Sequence, residues 1–121
     1  MVFIDDQHRE FFINNVARTN SQRDSERKAL FYALGLTHET RANINHLYNF
    51  NENCIRFEGL KKGWQTGTTV RICRLAFNLY NGTTGPDPER ASNYTPYNLF
   101  DNSLALYMLE AIKVRYADYM N

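Results

Sequence analysis

The stretch from Gly63 to Gly82, GWQTGTTVRICRLAFNLYNG, decides how this chain folds. From Val70 to Asn81 its polar side chains recur at i, i+3, i+7 and i+10, which places them on one narrow stripe of an α-helix. That stripe contains Arg71, Arg74, Asn78 and Asn81, and every other position is apolar or aromatic. Because one neighbour cannot cover such a helix, several elements must wrap it. The sequence therefore predicts a central buried helix over Val70 to Asn81.

Both ends of this helix are marked by residues that favour helix termini. Thr66 or Thr68 can accept a hydrogen bond from a free backbone N–H group of the first turn. Asn81 and Gly82 readily adopt the left-handed conformation that follows a last turn. The start and stop signals therefore agree with the periodicity.

The composition indicates one all-α domain over residues 1–121, a bundle of about five helices packed around the central one. With 43% hydrophobic and 14% aromatic residues among 121, the chain can bury a single core. It contains no apolar run of about 18 residues and no basic leader before one, so we expect a cytoplasmic protein with no membrane partner. Cys54 and Cys73 form no C-x-x-C unit and are expected to be reduced thiols.

Periodicity and capping residues predict four further helices. They run from Asp6 to about Arg18 after the cap Asp5, from Ser21 or Asp24 to Leu34 before Gly35, from His38 to about Tyr48 after the cap Thr37, and from Asn102 to about Tyr119 after the cap Asp101. The inward stripe of the last helix is predicted to hold Leu104, Tyr107, Met108, Ala111, Ile112, Tyr116 and Tyr119.

Two segments interrupt the helical pattern. Asn49 to Gly63 is predicted to be an ordered loop with a short extended piece at Cys54 to Phe57. From Gly82 to Asn93 the chain has two glycines, two prolines and no apolar residue beyond Ala91. Residues 82–94 are therefore predicted to be a flexible loop within the domain.

Three segments carry a resemblance to known proteins: ERKALFYALGL (Glu26 to Leu36), LYNFNENCIRFEGLKKGWQTG (Leu47 to Gly67) and RLAFNLYNG (Arg74 to Gly82). They resemble a family of small uncharacterised helical proteins found in Gram-positive bacteria and their prophages. The resemblance implies a small cytosolic helical protein in a mobile-element setting. It carries over no activity and no catalytic residue.

Charge is unevenly distributed although the net charge is only +1. From Arg56 to Arg74 the chain has five basic residues against the single acid Glu58, whereas residues 85–121 have three basic and five acidic residues. A net charge near zero gives no overall attraction to nucleic acid or membrane. The local excess nevertheless indicates a surface suited to an acidic partner.

The polar stripe of the central helix has two possible roles. If it is covered, Arg71 and Arg74 are expected to pair with Glu52 or Glu58. If it is exposed, it forms a basic patch with an aromatic side chain, which suits an acidic protein surface or a single-stranded nucleic acid. The candidate partner-binding residues are Lys61, Lys62, Trp64, Arg71, Arg74 and Asn78.

No motif predicts a catalytic residue, a metal site or a cofactor. His38 and His46 lie eight residues apart, which is about 12 Å along one helix and too far to share an ion. No local motif joins Cys54 or a serine to a histidine and a carboxylate. The turn Gly63 to Thr69 has the free N–H groups of an anion site but lacks the Lys-Ser/Thr of a Walker A motif.

These observations favour a non-enzymatic protein-interaction module. The predicted protein belongs to a phage or mobile element and binds, and thereby inhibits or modulates, a host protein such as a component of an anti-phage defence system of the CRISPR-Cas type. Its partner is expected to be a host or phage protein with an acidic surface, and monomer and homodimer are both open. The alternatives are a module for RNA or single-stranded DNA, and a small nucleotide-binding or hydrolytic protein.

Overall fold

A computed structural model describes residues 1–120 and confirms the all-α single domain. Asn121, the last residue of the predicted domain, lies outside the described residues. The α-helices are α1 (Asp6–Arg18), α2 (Ser25–Leu34), α3 (His38–Ala42), α4 (Ile44–Leu47), α5 (Gly67–Asn81), α6 (Pro96–Leu99) and α7 (Ala105–Arg115). Short 3-10 helices cover Phe57–Lys61, Pro88–Tyr94 and Ala117–Tyr119, and two short strands are β1 (Tyr48–Asn49) and β2 (Cys54–Ile55).

The predicted central helix exists as α5, and it shares the centre of the domain with α2. The α2 residues 29–34 are all completely buried, because this helix packs against α1, α5 and α7. On α5 the fully buried residues include Ile72, Cys73 and Phe77. On the polar stripe of α5, Arg71, Arg74 and Asn78 are half-buried and Asn81 is exposed. The continuous apolar run of α2 therefore suits the most enclosed position, and α5 packs beside it with its stripe turned away.

The predicted end of α5 at Asn81 and the cap Thr66, one of the two alternatives, are confirmed, but the helix begins at Gly67 and not at Val70. The Thr66 side chain accepts a hydrogen bond from the Thr69 amide, and the Thr69 hydroxyl accepts one from the Thr66 amide. This reciprocal pair satisfies two N–H groups that a helix leaves free at its start. Gly82 ends the helix in the left-handed conformation, with φ of 78°. Asp5, Asp24 and Thr37 likewise cap α1, α2 and α3.

Gly35 ends α2 as predicted but for a different physical reason. Its φ is −79°, which any residue can adopt. A Cβ atom at this position would lie 2.7 Å from the His8 ring and 2.9 Å from the Phe11 ring. Gly35 therefore allows α1 to approach the end of α2 closely.

The single helix predicted from His38 to Tyr48 is wrong, because the chain bends at Asn43 into α3 and α4. β1 then pairs antiparallel with β2, so the predicted loop contains a short hairpin. Arg27 on α2 holds this hairpin in place: its Nε donates to the Tyr48 hydroxyl at 2.9 Å and its Nη2 to the Asn53 carbonyl at 2.7 Å. The extended piece lies at the first two residues of the predicted range, Cys54 and Ile55.

The last helix is shorter than predicted. The α7 helix begins at Ala105 after Leu104, so Asp101 does not cap it. Its fully buried residues are Met108 and Ala111, as predicted. Tyr116 and Tyr119 were expected in the core, but they are 38% and 83% exposed. The helix ends at Arg115, and beyond it a 3-10 turn carries both tyrosines outward.

Candidate functional site

A cavity of about 420 Å³ opens where the 3-10 helix Phe57–Lys61, the polar stripe of α5 and residues 84–94 meet. We call it the α5 cavity. Its volume lies within the range of small ligand sites, roughly 300–1,000 Å³. Apolar surface comes from Phe57, Leu60, Pro86 and the ring of Tyr94, and the other lining residues are Glu58, Lys61, Arg74, Thr84, Gly85, Asp87, Arg90 and Asn93.

One wall of the α5 cavity is fixed by close packing. Phe57 packs edge to face on the buried Phe77 of α5, with ring centroids 5.7 Å apart. Gly59 touches the end of α4 so closely that a Cβ atom there would lie 2.4 Å from the His46 carbonyl oxygen and 2.5 Å from Leu47. Because this turn cannot shift without disturbing α4, it presents Lys61 from a fixed position.

The opposite wall is formed by residues 84–94, and the chain just before it and on α6 after it is attached to the polar stripe of α5. The Asn78 side chain donates to the Thr83 carbonyl at 3.0 Å, and Arg71 Nε donates to the Asn98 carbonyl at 2.8 Å. Within the wall, Gly85 has φ of 93° and lies against the half-buried ring of Tyr94. The left-handed conformation favours glycine at this position.

The charges around the α5 cavity leave two cations unpaired. Glu58 forms an ion pair with Arg56, and Asp87 forms one with Arg90 at 3.5 Å. Among residues 1–120, neither Lys61 nor Arg74 has an ion-pair partner or a side-chain hydrogen bond within the chain. Lys61 is exposed and Arg74 is half-buried. The lining carboxylates are therefore occupied by other bases.

The pKa shifts agree with this division of charge. The hydrogen bond from Arg56 lowers the pKa of the Glu58 carboxyl below its usual value. Burial raises the pKa of the Tyr94 hydroxyl, while the positive charge of Arg74 acts in the opposite direction. At neutral pH the Tyr94 phenol in the lining of the α5 cavity is therefore neutral.

The six predicted partner-binding residues separate into three groups. Lys61 and Arg74 line the α5 cavity, whereas Lys62, the next residue after Lys61, is exposed and does not line it. The indole N–H of the half-buried Trp64 donates a hydrogen bond to His46 Nδ1 at 3.4 Å. Arg71 and Asn78 are committed to backbone carbonyls inside the domain. The structure thus leaves Lys61, Lys62 and Arg74 facing solvent or the α5 cavity. Arg71 and Asn78 instead hold the wall formed by residues 84–94.

The predicted pairing of the arginines with Glu52 or Glu58 is wrong. Arg71 donates to the carbonyls of Asn98 and Gly67, at 2.8 and 2.9 Å. Glu58 is taken by Arg56, which precedes it by two residues. Backbone carbonyls thus take the place of the expected carboxylates, one on α6 (Asn98) and one in the first turn of α5 itself (Gly67).

Sequence reasoning missed the residues of the outer wall, including Asp87, Arg90 and Tyr94. They lie within residues 82–94, whose flexibility stays a prediction; inside this loop Pro88–Tyr94 form a 3-10 helix that begins at the cap Asp87. The cap and the proline after it were the usable signal, because Asp followed by Pro is typical of a helix start.

Other potential chemistry in the described chain is limited. Residues 1–120 contain no group of three or more His, Cys, Asp or Glu side chains that could hold a metal ion. Cys73 is fully buried, and burial raises the pKa of its thiol to about 12, so the thiolate is absent at neutral pH. In the turn before α5, the hydroxyl of Thr66 already accepts from one first-turn amide. None of the helices within residues 1–120 has the length and apolarity to cross a membrane.

Comparison with known proteins yields one match. A model of a family of unknown function (DUF6075) matches residues 1–121. No curated protein and no solved structure matches the chain.

Proposed function

The chain belongs to the DUF6075 family, and since membership assigns no activity, we propose from the α5 cavity that this protein is a non-enzymatic protein-interaction module. In this proposal the cavity receives an acidic side chain, together with an adjacent apolar one, from a partner protein. Lys62 follows the lining residue Lys61 in the chain and is exposed, and in this proposal it attracts further acidic groups on the partner's surface.

The observation that carries the proposal is the pair of unpaired cations, Lys61 and Arg74, next to apolar surface. A guanidinium beside an ammonium binds a carboxylate through charge-assisted hydrogen bonds, each worth about 1.5–3 kcal/mol. Phe57 and Leu60 provide the apolar contact area. A ligand with a carboxylate and an apolar group therefore complements both halves of the lining.

A protein partner fits this arrangement better than a nucleic-acid strand. A strand needs a basic groove that follows several phosphates, with aromatic faces on which bases stack. Arg71 would extend the basic surface along α5, but it is engaged with Asn98 and Gly67. The remaining cations are clustered at one opening, which suits a single acidic group.

The biological setting is proposed from the sequence resemblance. A family found in Gram-positive bacteria and their prophages suggests a phage or mobile-element protein whose partner belongs to the host. A component of an anti-phage defence system of the CRISPR-Cas type is one such partner, and it stays a prediction.

The first experiment titrates the isotopically labelled protein with a short capped peptide that contains alternating Glu and Leu, and follows backbone amide signals by NMR. We expect shifts at Lys61, Arg74 and Tyr94, and their loss in Arg74→Glu. The peptide with Gln in place of Glu is the ligand control. Arg23→Glu is the protein control, because Arg23 is exposed and lies outside the cavity. Equal binding of the Glu and Gln peptides would refute the proposal.

A second experiment identifies the partner. Tagged wild type, Arg74→Glu and Arg23→Glu are used to capture proteins from host lysate, with and without nuclease. A protein that is retained after nuclease by wild type and Arg23→Glu, but lost with Arg74→Glu, is the expected result. Recovery of nucleic acid that weakens steeply with salt would instead support the nucleic-acid module.

A further inference from the structure

Exposed apolar side chains concentrate on the outward face of α7. Of the nine large hydrophobic residues that are exposed within residues 1–120, five belong to α7 and the turn after it. Leu106 and Leu109 are 79% and 47% exposed, and Val2 joins them because its amide donates to Glu110 at 3.2 Å. We call Val2, Leu106, Leu109, Tyr116, Tyr119 and Met120 the apolar patch. Large apolar side chains that are exposed together on one face are typical of an interaction site.

We propose that the apolar patch is a homodimer interface, in which α7 packs antiparallel on α7 of a second copy. The outward stripe consists of Leu106, Leu109, Lys113 and Tyr116, whose spacing of three, four and three residues reads the same in both directions. A two-fold axis near position 111 places each Leu106 opposite the partner's Tyr116 and each Leu109 opposite the partner's Lys113. This is the reciprocal pattern of a two-fold symmetric interface.

Charge determines this register. In one chain the Lys113 ammonium lies 3.9 Å from the Glu110 carboxylate, and Lys113 is 67% exposed. With the axis near position 111, each Lys113 packs its aliphatic stem on Leu109 of the other copy, within reach of that copy's Glu110. An axis at position 113 would instead place two lysines face to face, which is unfavourable.

The same charges argue against other occupants. An anionic membrane surface or a nucleic acid needs several basic residues around an apolar face. Here Lys113 is balanced by Glu110 and Asp118, and Arg115 turns inward to the Leu79 carbonyl and the Ser25 hydroxyl. A face with balanced charges is complementary to itself. One helix face with a short arm buries less than roughly 1,200 Å² in total, which predicts a concentration-dependent monomer–dimer equilibrium.

The test measures mass by sedimentation equilibrium over a range of protein concentrations. Wild type is expected to shift from the mass of one chain toward that of two. Leu106→Lys should remain monomeric and folded, because this side chain is 79% exposed. Tyr97→Lys is the control, since Tyr97 is 89% exposed but lies on α6. A wild type that stays monomeric up to about 1 mM, the weak end of measurable affinity, would overturn the proposal.

The register has its own test. In a Cys54→Ser background, Leu106→Cys combined with Tyr116→Cys should form a disulfide-linked dimer under mild oxidation. Within one chain these positions are about 15 Å apart along the helix, too far for an internal disulfide. Lys113→Glu should weaken dimerisation, and Lys113→Arg should preserve it. A dimer that is insensitive to Leu106→Lys and yields no cross-link would show that another surface is used.

This inference is separable from the proposed function. The monomeric Leu106→Lys variant keeps the α5 cavity, so each chain should still bind the Glu-containing peptide. Arg74→Glu should lose that peptide and still dimerise. The wild-type dimer would present two α5 cavities, which increases avidity for a partner that offers two acidic groups.

Discussion

Two irregular segments cover the helical core, and they leave different surfaces behind. The N-terminal arm (residues 1–5) lies over α1 and α2, while residues 83–95 lie over the polar stripe of α5. Both are attached by hydrogen bonds to a helix. Beneath the arm, Phe3 packs on His8, Phe12 and Tyr32 at centroid distances of 5.1, 5.6 and 5.8 Å. The second segment leaves the α5 cavity.

The difference lies in how the polar groups beneath each segment are satisfied. His8 is fully buried, accepts the Ile4 amide at Nδ1 and donates from Nε2 to the Tyr32 carbonyl. Both ring nitrogens are thus used, which fixes the neutral tautomer. At the α5 cavity, Lys61 and Arg74 keep their hydrogen-bonding capacity for a ligand. The arm therefore stabilises the fold, and the other segment leaves room for binding.

The largest expected effect comes from His8→Ala. This change removes two buried hydrogen bonds and leaves a void beside Phe3 and Tyr32. We expect a loss of about 3–5 kcal/mol in the free energy of unfolding, measured by urea denaturation. A loss below about 1 kcal/mol would show that the arm contributes little and would remove the contrast between the two segments.

Gly35→Ala tests the close contact beneath the arm. The new Cβ atom would lie 2.7 Å from the His8 ring, so α1 must move, at a cost of about 1–3 kcal/mol. Gly63→Ala is the matched control, because no atom lies within 4 Å of a Cβ there. The urea midpoint of unfolding should fall more for Gly35→Ala than for Gly63→Ala. The difference between the two midpoints reports the steric overlap at Gly35, apart from any general effect of replacing glycine.

Acid should lower the free energy of unfolding of the domain through protonation of His8. Burial lowers the pKa of its imidazole from 6.5; the Tyr32 carbonyl and Asp5 oppose the shift, and Arg41 supports it. Below pH 6.5 the unfolded chain therefore binds more protons, and the free energy of unfolding falls as the pH falls through that range. Above pH 6.5 this contribution is fully present. Urea denaturation at several pH values should show a slope that disappears in His8→Gln.

The smallest effect on stability is expected from Arg74→Gln. Because Arg74 makes no hydrogen bond or ion pair with another described residue, its loss should change the free energy of unfolding by no more than about 0.5 kcal/mol. Arg71→Gln should cost about 1–2 kcal/mol, since two hydrogen bonds to backbone carbonyls disappear. Equal losses in the two variants would mean that Arg74 has an internal role.

The helix boundaries illustrate what periodicity and capping predict well. The α5 helix was expected from its stripe, from Thr66 and from Gly82, and all three are confirmed. The same reasoning failed for α7, where Tyr116 and Tyr119 continue the helical spacing but lie outside the core. The spacing of apolar residues in the sequence predicts which of them share a face of a helix. Whether that face is buried depends on the element that packs against it.

The sequence by itself determined the all-α class, the helix caps and the cluster of positive charge around α5, because these depend on residues close together in the chain. The tertiary structure alone decided that α2 is the most enclosed helix and that Arg71 binds the Asn98 carbonyl. It also formed the α5 cavity from Lys61, Arg74 and Tyr94. Those outcomes depend on which segment covers each helix, and contacts between distant segments leave no local pattern in the sequence.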